Sequence, residues 1–341
     1  MNEERKKKPR AIALLSGGLD SSLAVKLMLD LGVDVEALNL ATIFCNCTSA
    51  RKKRRCGNEA RRVSRQFGIK LTVLGTTPEY IEMIKNPAHG RGSGMNPCID
   101  CRIYLLHRAK EYMHENGIDF VVTGEVLGQR PMSQHMRAMR LIERESGLEG
   151  LIVRPLSAKL LPPTIPEKEA LIDREKLLDM KGRSRKPQMQ LALEKGVTDY
   201  PAPAGGCLLT DKSFSMRLRD LLEHEPDAGL AEIRLLKYGR HFRLPGRSKI
   251  IVGRDKSENE MLERFGNGYG TFQAADGLGP LTLAPQNLPE KTKKLIASIT
   301  ARYSQGRDKA SLLIRHRESG KEELLEVGPA KDSEFAEWRV G

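Results

Sequence analysis

The sequence predicts an α/β fold whose first domain is built on a parallel sheet and whose smaller C-terminal domain is α+β. Over the first 160 residues, short apolar strand patterns alternate with helical patterns. Such alternation is typical of a parallel sheet covered by helices on both faces. A glycine turn directly follows the first strand, and from about residue 225 arginine-rich strand patterns replace the alternation.

Hydrophobic periodicity and breakers set the expected elements in order. The predicted strands of the first domain are residues 11–15, 33–40, 69–74 and 120–123. The predicted helices are one that follows the glycine turn and stops at Gly32, then 58–67, 102–116, 167–180 and 187–195. Further on, 238–254 is strand-rich, 255–262 begins a capped helix, and 310–314 and 322–327 alternate like strands.

The glycine turn is the string Ser16-Gly-Gly-Leu-Asp-Ser-Ser22. Glycine permits positive φ and close approach of a ligand, so we expect both Gly17 and Gly18 to be needed for conformation. Asp20, Ser21 and Ser22 are expected to cap the following helix. A helix N-terminus behind a glycine turn suits a phosphate, and Asp20 could hold Mg²⁺. The simpler alternative is an ordinary strand–helix turn with a good cap.

Three cysteines have the spacing or setting of reactive thiols. Cys98 and Cys101 lie in Asn96-Pro-Cys-Ile-Asp-Cys101, close enough for shared metal ligation or a disulfide. Cys207 follows the small-residue turn Ala204-Gly-Gly. The simpler alternative for all three is a set of buried, inert thiols.

The string 16–22 resembles the signature of PP-loop ATP pyrophosphatases, whose fold is of the adenine nucleotide α-hydrolase-like (HUP) type. Members of that family split ATP between its α- and β-phosphates and adenylate a substrate, and a nucleophile then displaces AMP. The resemblance implies that ATP and Mg²⁺ bind at Ser16, Gly17, Gly18, Asp20, Ser21 and Ser22. The string Thr123-Gly-Glu-Val-Leu-Gly-Gln129 is similar to a strand end of tRNA 4-thiouridine synthases. By that likeness Gly124, Glu125 and Gln129 border the nucleotide or the target base.

The segment 96–101 resembles the Asn-Pro-x-x-x-Cys segment of tRNA-specific 2-thiouridylases, in which the final cysteine is catalytic. Cys101 and Cys207 then match the two functional thiols of those enzymes, and Cys98 is an addition. In one mechanism, one thiol carries a persulfide and its partner resolves it by forming a disulfide. In the other, Cys98, Cys101 and Cys207 hold three irons of a [4Fe–4S] cluster. Three thiols, where the disulfide route needs two, favour the cluster.

Cys45, Cys47 and Cys56 form a second set around the basic block 51–55. Three thiolates can bind zinc, but a structural site needs a fourth ligand, which only His89 or His107 could supply from a distance. Inert surface thiols are an equal alternative.

The formal net charge of +13 favours a polyanionic partner. Residues 1–224 carry 37 basic and 27 acidic side chains, and the remainder carries 20 and 17. The stretch 238–262 is similar to the NFACT-R RNA-binding module, and we expect His241 to contact RNA or to pack. No apolar run is long enough to span a membrane, and the N-terminus has no apolar leader, so we expect a cytoplasmic protein.

Three domains are expected: an ATP-binding catalytic domain at 1–160, a helical extension with the third active-site cysteine at 161–224, and a basic, RNA-binding domain at 225–341. The expected activity is ATP-dependent thiolation of a pyrimidine in RNA, most of all tRNA, with catalytic Asp20, Cys98, Cys101 and Cys207. The sulfur donor is expected to be a cysteine desulfurase or inorganic sulfide. The alternatives are an adenylating ligase or amidating enzyme that does not use sulfur, and an RNA-binding protein that senses nucleotide without catalysis.

Overall fold

A computed structural model describes residues 8–45, 58–198, 200 and 207–341. The chain divides into two compact units, and the boundary between their described parts lies between Cys207 and Leu208. The expected division at residues 160 and 224 stays a prediction. In the described part of the chain, no helix has the length and apolar character needed to cross a membrane.

The first unit contains a five-stranded sheet in which every neighbouring pair is parallel. Its strands are β1 (Arg10–Leu14), β2 (Asp34–Ala41), β3 (Leu71–Gly75), β4 (Phe120–Thr123) and β5 (Ile152–Val153). Their order across the sheet is β3-β2-β1-β4-β5. The sheet confirms the predicted α/β class and four of its strands, whereas the two-residue β5 was not predicted.

The helices in the described part of this unit are α1 (Leu19–Asp30), α2 (Asn58–Phe67), α3 (Pro78–Lys85), α4 (Cys98–Asn116), α5 (Met136–Ser146), α6 (Ile165–Lys168) and α7 (Lys186–Glu194). Both faces of the sheet are buried, as expected for parallel strands. Along β1, Ala11 and Ala13 pack in the core that includes α1, while Ile12 and Leu14 pack in the core that includes α4. This two-sided burial explains the nearly continuous apolar run of the first strand.

The predicted helix over 167–180 is wrong. Only α6 and a single 3₁₀ turn at Arg174–Lys176 form there. Ala170 adopts φ of 55°, which ends the helical path, and the Asp173 side chain accepts a hydrogen bond from the Glu175 N–H at 3.1 Å. Local capping by Asp173 therefore breaks a pattern whose apolar spacing looked helical.

The second unit contains a seven-stranded sheet in which the paired strands are antiparallel. Its strands are β6 (Arg240–Arg243), β7 (Lys249–Val252), β8 (Gly270–Ala274), β9 (Thr282–Ala284), β10 (Leu312–Glu318), β11 (Lys321–Val327) and β12 (Arg339–Val340). Its helices are α8 (Lys212–His224), α9 (Leu230–Leu235), α10 (Lys256–Phe265), α11 (Glu290–Arg302) and α12 (Asp332–Phe335). This unit confirms the predicted α+β character of the C-terminal part.

His241 of β6 is a packing residue and not an RNA contact. Its side chain is fully buried, and Nε2 lies 2.8 Å from the carbonyl oxygen of Tyr238. Burial holds the pKa of His241 well below its usual value, so the imidazole is neutral at pH 7. A neutral, buried ring cannot reach a phosphate.

Candidate active site at the carboxyl edge of the parallel sheet

The glycine turn lies directly after β1, at the edge where the parallel strands end. Gly17 adopts φ of +79°, and a Cβ added there would lie 2.4 Å from the carbonyl carbon of Glu59. Gly17 is thus required both for its conformation and for contact with α2. Gly18 has φ of −82°, so its conformation does not require glycine, and the expected close approach of a ligand there stays a prediction.

The first turn of α1 is not capped by a side chain. Gly18 is the N-cap residue, and the hydroxyls of Ser21 and Ser22 each donate to the Gly18 carbonyl oxygen at 3.0 Å. The predicted capping by Asp20, Ser21 and Ser22 is therefore wrong, because all three lie inside the helix. The consequence favours a ligand: N–H groups of the first turn keep their hydrogen-bonding capacity for an anion.

Asp20 places one carboxylate oxygen in a polar pair and leaves the other without a partner. Gln129 Nε2 donates to Oδ2 of Asp20 at 3.0 Å. Oδ1 is buried and, among the described residues, has no hydrogen-bond partner. A buried carboxylate oxygen without a donor is costly unless a cation or donor arrives, and carboxylates are preferred Mg²⁺ ligands. The arrangement at Asp20 fits a magnesium ion.

Gly124 joins the end of β4 to the first turn of α1. A Cβ at Gly124 would lie 2.5 Å from the Asp20 carbonyl carbon and 2.5 Å from the Ser21 nitrogen. The two backbones touch, and only glycine allows it. Gly124 and Gln129 therefore border the same turn that carries Asp20.

Glu125 lies beneath this edge as a buried anion between two arginines. Arg154 Nε donates to its Oε2 at 2.9 Å, and Arg102 Nε lies 3.1 Å from its Oε1. Burial raises the pKa of Glu125, but the charges of Arg102 and Arg154 outweigh it and hold the pKa below its usual value. Arg154 also pairs with Glu143 of α5. The Glu125 carboxylate thus supports the loop from inside, and the expectation that it borders a ligand stays a prediction.

The first turn of α4 carries Cys98 and Cys101, three residues apart on one side of the helix. Because α4 leads back to the start of β4, its N-terminus lies at the carboxyl edge of the sheet, where the glycine turn also lies. Asn96 Nδ2 donates to the Sγ of Cys98 at 3.0 Å. Burial raises the pKa of the Cys101 thiol, although a hydrogen bond from Tyr80 and the charge of Arg102 lower it in part.

Tyr80 of α3 connects two of the thiols. Its hydroxyl lies 3.2 Å from the Sγ of Cys101, and its ring is buried. Burial raises the pKa of Tyr80 well above its usual value, and the charges of Cys101 and Cys207 raise it further. Cys207 is exposed and lies near enough to act electrostatically on the same hydroxyl. The joint role of Cys98, Cys101 and Cys207 stays a prediction.

Metal ligation is less complete than the sequence pattern predicted. Among the described residues, no group of three or more His, Cys, Asp or Glu side chains stands ready to hold a metal ion. Cys45 is disulfide-bonded and has no free thiolate for a metal, so the prediction that it is a zinc ligand is wrong. Cys47 and Cys56 lie outside the described residues. His89 pairs with Asp100 and Glu145, and His107 Nε2 lies 2.9 Å from the Glu145 carbonyl oxygen.

Sequence reasoning missed three residues that shape this edge. Asn39 near the end of β2 donates to the Leu15 carbonyl oxygen at 2.7 Å and fixes the start of the glycine turn. Its signal is a polar residue inside the apolar run 37–40. Tyr80 and Arg154 gave no comparable signal, because their roles depend on partners 21 and 29 residues away.

Two family models match separate parts of the chain. Residues 7–159 match the model described as "Thiamine biosynthesis protein (ThiI)". Residues 239–339 match the model described as "NFACT protein RNA binding domain", which extends the predicted resemblance well beyond residue 262.

Curated relatives cover the chain only in part. A probable tRNA sulfurtransferase of Thermococcus kodakarensis is 29% identical over 147 residues, which cover 43% of this chain and 36% of that protein. A tRNA-specific 2-thiouridylase, MnmA, of Marinobacter nauticus is 26% identical over 231 residues, covering 64% and 55%. The chain thus spans between about a third and somewhat over half of these relatives' lengths.

A solved 4-thiouridine synthetase–RNA complex with bound ATP aligns with a TM-score of 0.35 and 18% identity, covering 55% of this chain and 52% of that chain. The family matches confirm both predicted resemblances: residues 7–159 are similar to the ThiI family of PP-loop proteins, and residues 239–339 are similar to the NFACT RNA-binding domain.

Proposed function

We propose that this chain is an ATP-dependent sulfurtransferase that acts on a pyrimidine in RNA and replaces a carbonyl oxygen of that base with sulfur. The favoured RNA substrate is tRNA. One observation carries the proposal: a series of contacts joins the glycine turn to the thiols. Gly124 touches the backbone of Asp20, its neighbour Glu125 pairs with Arg102, and Arg102 follows Cys101 in α4. A phosphate-binding turn and a thiol pair at one edge match the two halves of a thiolation reaction.

Ser16, Gly17 and the first turn of α1 would hold the triphosphate through N–H groups and the positive end of the helix dipole. The partnerless Oδ1 of Asp20 would bind Mg²⁺, which neutralises charge on the phosphates. Gln129 fixes the rotamer of Asp20 through its hydrogen bond to Oδ2. This assignment uses both oxygens of the carboxylate.

The reaction needs activation because a carbonyl oxygen is a poor leaving group. The pyrimidine oxygen attacks the α-phosphate, and pyrophosphate leaves. A sulfur nucleophile held at the thiols then attacks the base carbon, and AMP leaves with the original oxygen. In the persulfide form, the terminal sulfur of a Cys–S–SH is transferred, and the second thiol forms a disulfide that an external thiol reduces.

The thiols of Cys98, Cys101 and Cys207 support two forms of sulfur delivery. Cys101 and either partner suffice for a persulfide and its resolution. Alternatively, the three thiolates would be the protein ligands of a [4Fe–4S] cluster, which supplies an open coordination position for hydrosulfide. The amide of Asn96 donates to the sulfur of Cys98 and so holds that sulfur in place in either form.

The test of the function is pyrophosphate release and thionucleoside formation on unmodified tRNA transcripts, with sulfide or a cysteine desulfurase as donor. We expect both products with the wild-type chain and no thionucleoside with Cys101→Ala. Wild-type thiolation by Cys101→Ala contradicts the role of that thiol. Full activity of a variant lacking Cys98, Cys101 and Cys207 would instead indicate an adenylating ligase or amidating enzyme. Absence of pyrophosphate release with any RNA would indicate a nucleotide-sensing RNA-binding protein.

The two forms of sulfur delivery are separated by purification without oxygen. A cluster gives a broad absorbance band at about 400 nm, and this band is lost in Cys98→Ala because that substitution removes one of three ligands. A persulfide gives no such band and instead releases sulfide on treatment with an external thiol. Each outcome selects one form.

A further inference from the structure

The outer face of α5 carries three arginines in one row. Arg137, Arg140 and Arg144 are all exposed, and their spacing of three and four residues puts them on one side of the helix. At 1.5 Å per residue, the row is about 10 Å long. The opposite side of α5 is buried through Ala138, Met139, Ile142 and Ser146. We call this row the α5 arginine face.

These arginines have no counter-charge in the described part of the chain, where none of the three makes an ion pair or a side-chain hydrogen bond. The two glutamates of the same helix that could neutralise them point elsewhere. Glu143 pairs with the buried Arg154, and Glu145 pairs with His89. Three adjacent positive charges are therefore free to meet an anion from solution.

The start of α5 also goes against the usual electrostatics of a helix. Its first turn contains no acidic residue and does contain Arg137. A cation near a helix N-terminus is disfavoured by the helix dipole. Such a local conflict is commonly found where a residue serves binding instead of stability.

The α5 arginine face belongs to a helix that adjoins the candidate active site. The loop that holds Gly124 and Gln129 leads into α5, and α5 packs beside α4, which carries Cys98 and Cys101. A long polyanion that presents a base to the thiols would pass this helix.

We propose that the α5 arginine face binds the phosphate backbone of the RNA substrate and holds it while the target base is in the site. This inference rests on the proposed function, because it identifies where that function's substrate is held. Guanidinium groups suit phosphate oxygens, since they donate two hydrogen bonds in a fixed fork. The contact carries no base information and supplies affinity only.

The test compares four full-length proteins in binding an unmodified tRNA transcript at several salt concentrations. They are the wild type, the triple variant Arg137→Gln/Arg140→Gln/Arg144→Gln, the matching triple Arg→Lys variant, and a charge-matched control. The control is Lys26→Gln/Lys70→Gln/Lys195→Gln, which removes three positive charges near the opposite, amino edge of the sheet. Thermal unfolding verifies that all four are folded.

We expect the slope of the log of the tRNA association constant against log salt concentration to be less steep by about 2 to 3 in the Arg→Gln triple. Each lost phosphate contact accounts for about 0.7 to 0.9 of that slope. We expect the Arg→Lys triple to keep most of the salt slope. The control should stay close to the wild type in affinity and slope. At saturating tRNA, the Arg→Gln triple should release pyrophosphate at nearly the wild-type kcat with a raised KM.

The outcomes separate this inference from the function on which it rests. If the Arg→Gln triple binds tRNA with the wild-type affinity and salt slope, or the control loses as much, the α5 arginine face is not the RNA site, although thiolation stands. If the triple loses kcat with KM unchanged, the arginines act in the chemistry and the inference is also wrong. A wild-type chain that neither binds nor thiolates any RNA would overturn both.

Discussion

At the scale of single residues, Asp20 is held in an unusual state. One carboxylate oxygen accepts from Gln129, while the other is buried with no partner among the described residues. A site without a ligand would gain stability by losing this charge. The position of Asp20 is therefore explained by cation binding and not by a contribution to the stability of the fold.

Asp20→Asn tests this explanation. The amide keeps the shape and can still accept from Gln129, but it cannot neutralise a cation. We expect pyrophosphate release to fall by about 10²-fold or more, in line with the loss of one charged group that positions the reacting phosphates. We expect the melting temperature to stay unchanged or to rise. A variant that keeps activity, or that loses it by unfolding, contradicts the assignment.

Tyr80 offers a second prediction at this scale. Its hydroxyl contacts the Cys101 thiol, so Tyr80→Phe removes a hydrogen bond that favours the thiolate. Because burial already raises the pKa of Cys101, losing this donor to the thiolate should raise the pKa further. Alkylation of Cys101 should then need a higher pH, as followed by mass spectrometry of its peptide.

The matched control is Tyr104→Phe. Tyr104 packs against the Tyr80 ring with centroids 5.1 Å apart, but its hydroxyl pairs with Thr77 Oγ1 at 2.9 Å and, among the described residues, makes no hydrogen bond to a thiol. Tyr104→Phe removes one hydroxyl from the same aromatic cluster but no hydrogen bond to Cys101. The pH dependence of Cys101 alkylation should therefore stay unchanged. Equal shifts in both variants would show that packing, and not the hydrogen bond, sets the thiol's reactivity.

At the scale of elements, the contact between β4 and α1 fixes the geometry of the site. Gly124→Ala would push a methyl group to 2.5 Å from the backbone of Asp20 and Ser21. Neither backbone can move away without shifting the first turn of α1. We expect a loss of about 1 to 3 kcal/mol in the free energy of unfolding, as for other overpacked sites, together with weaker ATP binding.

Gly75→Ala is the comparison for this change, because a Cβ at Gly75 meets nothing within 4 Å. Gly75 ends β3, so both substitutions add one methyl group at a strand end of the same sheet. Chemical denaturation and ATP titration measure both effects. If the two variants behave alike, the close approach at Gly124 is unimportant.

Arg154 links β5 to α5 and to the loop of Glu125, and nearly all of its side chain is buried. Arg154→Met leaves Glu125 with only Arg102 nearby and should cost about 3 to 5 kcal/mol at pH 7, as for other broken buried pairs. The folded-state pKa of Glu125 is lowered, so the pair contributes stability above the unfolded-state pKa of about 4.3 and loses it as pH falls through the folded value.

The cost of Arg154→Met should therefore shrink in acid. Denaturant unfolding of the wild type and the variant from pH 7 downward would measure the difference. A cost that does not depend on pH would show that packing of the long side chain, and not its charge, is what Arg154 supplies.

Prediction from sequence succeeded for elements with clear periodicity and clear ends. Residues 58–67 and 120–123 match α2 and β4, and the helix before Gly117 was found although α4 begins four residues earlier, at Cys98. It failed at α5, where charges interrupt the apolar pattern on a half-exposed helix. It also placed Asp20 as a cap, because serine and aspartate inside a first turn look like capping residues.

At the scale of the whole molecule, the alternation of strands and helices predicted the parallel sheet, and the strand-rich, arginine-rich segment predicted a smaller α+β domain. The antiparallel pairing of that domain and the arrangement within the site became known only from the structure. The motif 16–22 specified a turn, and the spacing of Cys98 and Cys101 specified a pair. That Glu125 pairs with Arg102 and Arg154, that Asn39 holds the glycine turn, and that Tyr80 contacts Cys101 all follow from contacts between distant segments. Such contacts leave no periodic signal in one sequence.

The net charge of +13 leads to a prediction for the whole chain. If RNA is the partner, affinity for tRNA should fall linearly on a log–log plot as salt rises. Three or more phosphate contacts imply a loss of at least about tenfold between 50 and 200 mM salt. Fluorescence anisotropy with a labelled transcript gives the slope. An affinity that is insensitive to salt would show that the surplus charge is not used for RNA.

The buried pairing of Glu125 with Arg154 also constrains how this protein can diverge. Replacing either residue first leaves the other buried charge with only its second partner, Arg102 for Glu125 or Glu143 for Arg154. Selection should remove such a destabilised lineage before the second change occurs. Homologues are therefore expected to inherit the glutamate and the arginine together or to lack both. Their joint presence would mark which descendants retain this loop.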